Sequence, residues 1–288
     1  MIKKILNIVL AGVFALALFP KGVRAEGGGS SHLLPPTSHG TVVKKYNLSN
    51  YSGSTATDAT LEIYQDGYSI VKSNSTTNQT VDGNWIDNAM DAYIASPNAV
   101  DITSITLDSD TKIITDTMYA IANNPVFMNQ DTSKLEYIDY SKTTPVDWLG
   151  HTSIPDSTPD AQMPNAPQFM DRTVKKVIFG PNWSNLILGK SANSMFANSH
   201  IEGVEGFEYL KLRPTDAQYM FAGVKDMKIN LSNLDLTHVS NMVNMFNGSN
   251  LDFGDLFSRQ IVDPQMSAYA FTDYKSNKVI DVTGIRFT

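Results

Sequence analysis

The 288 residues contain no cysteine, which removes disulfides, thiolate-bound zinc, iron–sulfur clusters and thiol catalysis together. Basic side chains are also short in number: 22 Lys and Arg stand against 29 Asp and Glu, a net charge of −7. Nucleic-acid binders draw their affinity from clustered cations, so no nucleic-acid partner is expected. Histidine is sparse and dispersed. His32, His39, His151, His200 and His238 form no His-Glu-x-x-His array, so no zinc hydrolase is signalled. Gly189-Lys190-Ser191 lacks the earlier glycine of a phosphate loop, because Ser184 stands there, and Asp108-Ser109-Asp110 lacks the rest of a calcium-loop pattern. No cofactor and no metal are expected.

A long apolar run occurs only at the start. Lys3 and Lys4 precede an uncharged stretch from Ile5 to Phe19, and Val23-Arg24-Ala25 ends in a small residue. Fifteen residues fall short of the roughly 20 that cross a bilayer, so 1–25 is read as a signal peptide cleaved after Ala25, with no membrane span after cleavage. Losing Lys3, Lys4, Lys21 and Arg24 leaves 18 basic against 29 acidic residues, a net charge of −11. An exported chain without disulfides must hold itself together by burial alone, which this length permits. Sequons such as Asn47-Leu48-Ser49 matter only in a glycosylating pathway, and the short Lys-Lys signal fits a bacterium with a single membrane.

Residues 26–40 are Gly, Ser and Pro rich and read as a flexible linker. Residues 41–144 are rich in Thr, Ser, Val, Ile and Tyr and read as a β-rich region. Within it, Leu61–Tyr64 and Tyr68–Val71 flank Gln65-Asp66-Gly67, a hairpin signal, since Asp-Gly tolerates positive φ. One helix is expected where Trp85, Ile86, Ala89, Met90, Tyr93 and Ile94 recur at helical spacing, with Asp82 or Asn84 as cap and Pro97 beyond the end. Further strands are expected at Ile102–Leu107 and Leu135–Tyr140. Prolines 145, 155, 159, 164 and 167 punctuate residues 145–170, read as a connection with a domain boundary inside it.

The informative signal is a repeat. Met195-Phe196, Met220-Phe221, Met245-Phe246 and Ala270-Phe271 recur every 25 residues, each with a small or apolar residue three positions before the first member: Ala192, Ala217, Met242 and Ser267. Turn chemistry follows each pair, as in Ala197-Asn198 and Asn247-Gly248. Short apolar segments come later in each unit, at Leu210-Lys211-Leu212, Leu234-Asp235-Leu236, Ile261-Val262 and Ile285-Arg286-Phe287. The expected unit is a short strand, a turn, a short helix carrying Met-Phe inward (Val239, Met242, Val243 and Phe246 lie on one helical stripe) and a loop back. One unit alone has nothing to pack against, so residues 171–288 are read as stacked units sharing an apolar interior, opened by the strand Val177-Ile178-Phe179. A degenerate earlier unit echoes weakly in Met118-Tyr119 and Leu135–Ile138. The fold class is α+β: a β-rich region with one helix, then a C-terminal solenoid of short parallel strands and short helices.

The run from Leu234 through Asn241-Met242-Val243-Asn244-Met245-Phe246 to Ser249 resembles the repeat of BspA-like bacterial leucine-rich-repeat surface proteins, and Val174–Trp183 is similar to the strand and turn that often precede its first copy. The resemblance covers residues 174–288. It implies a curved right-handed leucine-rich-repeat solenoid at, or released from, the cell surface, with adhesion or ligand binding as its role, and it brings no catalytic residue. Ala270 departs from the pattern, which marks the last copy as a terminal cap.

The expected function is therefore that of an exported or surface-associated, non-enzymatic protein binding an extracellular protein or glycan. Outward positions between buried strand residues supply the candidate contacts: Lys211, Arg213, Asp235, Thr237 and Arg259, with Tyr209 as an aromatic anchor. The alternative is a wall-acting hydrolase with its active site in residues 41–160 and the solenoid as targeting module.

Overall fold

Gly67 sits at φ +84°, and a Cβ there would lie 2.1 Å from the Asp101 carbonyl oxygen. Only glycine fits both demands, and the hairpin forms at the expected place: β2 (Ala59–Tyr64) pairs antiparallel with β3 (Tyr68–Ser73). On its other side β2 pairs antiparallel with β1 (Val42–Asn47). The computed structural model describes residues 38–52, 58–77, 79–114, 136–147, 149–170, 174–276 and 278–286. The predicted signal peptide, most of the linker, and Met118-Tyr119 lie outside them.

The stripe of apolar residues after Asp82 forms α2 (Gly83–Ile94), which follows a short helical turn, α1 (Ser49–Ser52). Asp82 caps α2 by accepting from the Asn84 N–H at 2.8 Å, and Ile86, Ala89, Met90 and Tyr93 are buried. Trp85 and Ile94 flank that stripe and are partly buried.

From β3 onward the chain repeats one route. Where its residues are described, it passes through a strand of a large sheet and then through a shorter sheet, and from residue 176 on through a Met-Phe segment that leads back. The large-sheet strands are β5 (Ser104–Leu107), β7 (Tyr137–Tyr140), β9 (Lys176–Phe179), β11 (Gly203–Glu205) and β13 (Lys228–Ile229). The spatial order is β1-β2-β3-β5-β7-β9-β11-β13, parallel from β3 on. The shorter sheets are parallel: β4 (Gln79–Val81), β6 (Thr111–Ile114) and β8 (Thr144–Val146) form one, and β10 (Ile187–Leu188) and β12 (Lys211–Leu212) the other. The whole is a mixed α/β fold with a large, parallel-rich sheet, few helices and, among the described residues, no closed barrel.

The Met-Phe segments are not helical, contrary to the expected short helices. Residues 193–198, 218–223, 243–248 and 268–273 are successive tight turns, and the second residue of each (Ser194, Tyr219, Asn244, Tyr269) has φ of 55° to 60°. A left-handed residue breaks a right-handed helix. Alternate N–H groups instead bond to the next unit: Ala192 to Asp216, Ser194 to Gln218, Phe196 to Met220 and Asn198 to Ala222, at 2.7–2.9 Å. The same four bonds recur from Ala217, Tyr219, Phe221 and Gly223, and again from Met242, Asn244, Phe246 and Gly248. The i, i+3, i+4 spacing mimics a helix because tight turns and helices share a period near three residues.

Met195, Phe196, Met220, Phe221, Met245 and Phe246 are fully buried. Phe196, Phe221, Phe246 and Phe271 stack at centroid separations of 5.7, 5.4 and 5.5 Å with planes within 14°. The column extends one ring earlier than the sequence indicates, to Phe169, 5.6 Å from Phe196. The proline-rich stretch therefore does not stand apart. The Ala166 N–H donates to the Ser191 carbonyl and the Phe169 N–H to Met195, while β7 and β9 pair directly across residues 141–175. Nor does Val177-Ile178-Phe179 open the parallel stack, since β5 and β7 precede it. Leu135–Ile138 echoes the wrong partner: Tyr137 and Ile138 lie in β7 beside β9, whereas Phe207–Tyr209 is a 3-10 turn.

Candidate functional site

Alternation along the strands of the large sheet sends one set of side chains inward and the other outward. Leu61, Val71, Ile105, Leu107, Ile138, Tyr140, Val177, Phe179 and Val204 are buried. The intervening residues face outward and, by strand register, form two rows. One row runs Tyr68, Ser104, Tyr137, Lys176, Gly203, Lys228, and the other Glu62, Ile70, Thr106, Asp139, Ile178, Glu205. The first is aromatic at its early end and basic at its late end, while the second carries the carboxylates.

The densest chemistry lies at the β2–β3 end. Glu62 is almost fully covered, yet it receives Lys45 at 2.6 Å and Lys72 at 2.7 Å, and the Tyr64 hydroxyl donates to it at 3.2 Å. Burial pushes the Glu62 carboxyl up, but the two lysine hydrogen bonds outweigh it and hold the group below the usual carboxylate range. Lys72 is raised by the same bond, partly opposed by burial. Burial, reinforced by the Glu62 charge, raises the Tyr64 phenol.

His39, at the end of the expected linker, is held in place here. Its ring stacks on Tyr68 at 3.5 Å and 8°, and its Nδ1 lies 2.9 Å from Asp66 Oδ2. Burial raises Asp66, but the bond from His39 and the Tyr68 N–H more than offset it and leave the carboxyl lowered. The Tyr68 phenol is raised by burial, eased by a hydrogen bond with Thr106 and reinforced by the Asp139 charge. Tyr64, His39 and Tyr68 form one cluster, with Tyr64 and Tyr68 centroids 5.5 Å apart. At the late end of the face Lys176 bridges to Glu205 at 2.5 Å.

The residues singled out from sequence lie elsewhere. Lys211 is exposed on β12 and Tyr209 precedes it with 38% exposure. Thr237 is exposed, and Asp235 caps it by accepting from its N–H at 2.9 Å and its hydroxyl at 2.6 Å. Two of the six are committed to the fold. Arg213 donates to Asp160 at 3.1 Å, and Asp160 also holds His238 at 2.8 Å. Arg259 donates to the Leu231 and Leu234 carbonyls at 2.8 and 3.0 Å. Long cations read as outward from a two-residue period here turn back to satisfy carbonyls and a carboxylate.

Glu62, Tyr64, Tyr68, Tyr137, Asp139 and Lys176 went unmarked in the sequence. Alternation is present around them, but Ile70 and Ile178 are outward and Ser69 inward, so polarity alone does not tell the two faces apart. Among the described residues no group of three or more His, Asp or Glu side chains is placed to hold a metal ion. None of the described helices is long and apolar enough to cross a membrane. The chain matches no known family model, no curated protein and no solved structure. The resemblance of residues 234–249 to the BspA-like repeat rests on the motif itself.

Proposed function

We propose that the chain is an exported bacterial protein, secreted or held at the cell surface, that binds an extracellular protein or glycan through a leucine-rich-repeat-like solenoid and does no catalysis. The observation that carries the reading is the outer face of the large sheet. Its rows present Tyr68, Tyr137, Thr106 and the charges of Asp139, Lys176 and Glu205 across successive strands about 4.8 Å apart, with Ile70 and Ile178 between them. Aromatic rings anchor interfaces because they bury a large area while losing little side-chain freedom, and the charges around them set register and partner choice. The 25-residue stacking of residues 191–273 supports the solenoid assignment, since the ladder hydrogen bonds run from each unit to the next, with Asp160 also reaching across units to Arg213 and His238. Tyr209, Lys211 and Thr237, on another side of the same units, are further candidate contacts.

The test is a solid-phase binding assay of the chain on extracellular-matrix proteins and cell-envelope polysaccharides. Tyr68→Ala and Tyr137→Ala should each weaken retention by about tenfold or more, the loss of one anchoring ring. Retention insensitive to both but abolished by Lys211→Ala and Thr237→Ala would move the partner to the other side of the units. Release of soluble fragments from peptidoglycan would overturn the non-enzymatic reading in favour of a hydrolase.

A further inference from the structure

Among the described residues, seven other than glycine have positive φ: Ser194, Asn198, Tyr219, Asp226, Asn244, Tyr269 and Asp273. Five are Ser, Asn or Asp, whose short polar side chains bond locally and tolerate the left-handed region. The two tyrosines have no such excuse. Tyr219 (φ 56°) and Tyr269 (φ 60°) occupy the same position of the turn ladder, two units apart, and they are exposed to 39% and 68%. The column is continuous by hydrogen bonding, since the Tyr219 N–H donates to the Val243 carbonyl and the Asn244 N–H to Ala268. Large rings held out in solvent on unfavourable backbone contribute nothing to the interior. Strain of this kind at an exposed position points to a ligand.

Asn244 stands between the two tyrosines and is nearly covered, with its Oδ1 accepting from Asn247 Nδ2 at 2.7 Å. Two ladder spacings put the tyrosine positions about 9–10 Å apart, which admits one further ring, since stacked rings keep centroids about 4.5–7 Å apart. Alongside runs a polar ladder. Asp216 Oδ2 accepts from Ser191 Oγ at 3.4 Å and Asn193 Nδ2 at 3.3 Å, and Gln218 Oε1 accepts from Asn193 and Asn241 Nδ2, each at 3.4 Å. Asp216 Oδ1 also accepts from the Gln218 N–H at 3.1 Å, so the carboxylate keeps one acceptor position, while Gln218 Oε1 is filled and its amide N–H groups are left to donate.

We propose that Tyr219 and Tyr269 clamp one ring of a neutral saccharide over Asn244, with Asp216 accepting from its hydroxyl groups and the Gln218 amide N–H donating to them. This site is distinct from the outer face of the large sheet and does not depend on it. A sugar brings both a ring face for stacking and hydroxyl groups that donate to Asp216 and accept from the Gln218 amide. A polyproline helix repeats about every 9.3 Å and matches the spacing, but proline has no N–H and offers acceptors alone. Asp216 and Asp273 disfavour an anionic sugar.

Isothermal titration of the full chain with cellohexaose, chitohexaose, mannohexaose and decaproline tests this. At least one hexasaccharide should bind. Tyr219→Asn and Tyr269→Asn should each weaken it about tenfold or more, while the conservative Tyr→Phe variants stay within about threefold, because stacking carries the contact. Asparagine suits the left-handed backbone, so the Asn variants should unfold at the same temperature or higher, which separates lost binding from lost structure. The binding that both Asn variants weaken should survive Tyr68→Ala, which removes only binding at the outer face of the large sheet. The clamp is overturned if no hexasaccharide binds, if both Asn variants bind as wild type, if Tyr68→Ala alone abolishes binding, or if decaproline is the sole ligand.

Discussion

Glu62 shows how a single side chain can be safe in a nearly closed place. Its carboxylate is covered by neighbours yet keeps two ammonium partners, and those partners remain largely wetted, with Lys45 62% and Lys72 35% exposed. Leaving a buried charge unpaired is costly, whereas exposed lysines return to water freely. Removing the carboxylate charge while keeping its shape is therefore the moderate perturbation. Glu62→Gln should lower stability by about 1.5–3 kcal/mol near neutral pH, in the range for hydrogen bonds to charged groups. The sign with pH follows from the direction of the shift. A carboxyl whose folded value lies below its unfolded value stabilises above the unfolded value, and that contribution is lost as pH falls through the folded one. Urea unfolding of wild type and Glu62→Gln should differ most at pH 7 and converge toward pH 3. Lys72, raised in the fold, keeps its contribution below its unfolded value and loses it as pH climbs through the folded one, so the same pair also weakens in strong alkali.

At the scale of the element, the repeated unit was legible in sequence and its local conformation was not. Met-Phe pairs at a fixed interval report that equivalent positions face one interior, and Phe196, Phe221, Phe246 and Phe271 do stack. Periodicity does not distinguish an α-turn from a chain of tight turns, and the deciding feature, a left-handed residue at Ser194, Tyr219, Asn244 and Tyr269, has no shared residue type to reveal it. Phe169 was hidden because it precedes Phe196 by 27 residues and lies among prolines. The column makes unequal demands on its members. Phe221 is fully buried between two parallel rings, so Phe221→Ala should cost about 3–5 kcal/mol, as deletions of interior rings do. Phe271 is only partly buried at the end of the column, so Phe271→Ala should cost less than half as much. Chemical denaturation of the two variants measures both, and equal losses would mean that the terminal ring is as enclosed as the central one.

Across the whole molecule, the antiparallel hairpin, α2 and the strand regions were readable because turn chemistry and helical spacing are local. That one sheet joins β1 to β13 was not, because strand register is a long-range choice, and the prolines of residues 145–170 obscured the continuity. The continuous sheet has a thermodynamic consequence. The ladder hydrogen bonds of each unit from residue 176 onward run to its two neighbours, with Asp160 also tied across units to Arg213 and His238, and the last, residues 261–286, is joined to the unit before it with no described unit beyond. Ile261, Met266 and Tyr269 are more than half exposed there, and the end ring Phe271 is only partly buried where its counterpart Phe221 is fully buried. In a chain of nearest-neighbour interfaces, a unit with one interface opens more readily than a unit with two, by roughly the free energy of the missing interface. Native-state hydrogen exchange should therefore give the highest protection to the amides of Phe196, Phe221 and Phe246, which bond into the next unit, and markedly less to those of Ala270, Thr272 and Tyr274, which close only local turns. Uniform protection along the four units would mean that the stack opens as one body and that the end unit draws on support other than its neighbour.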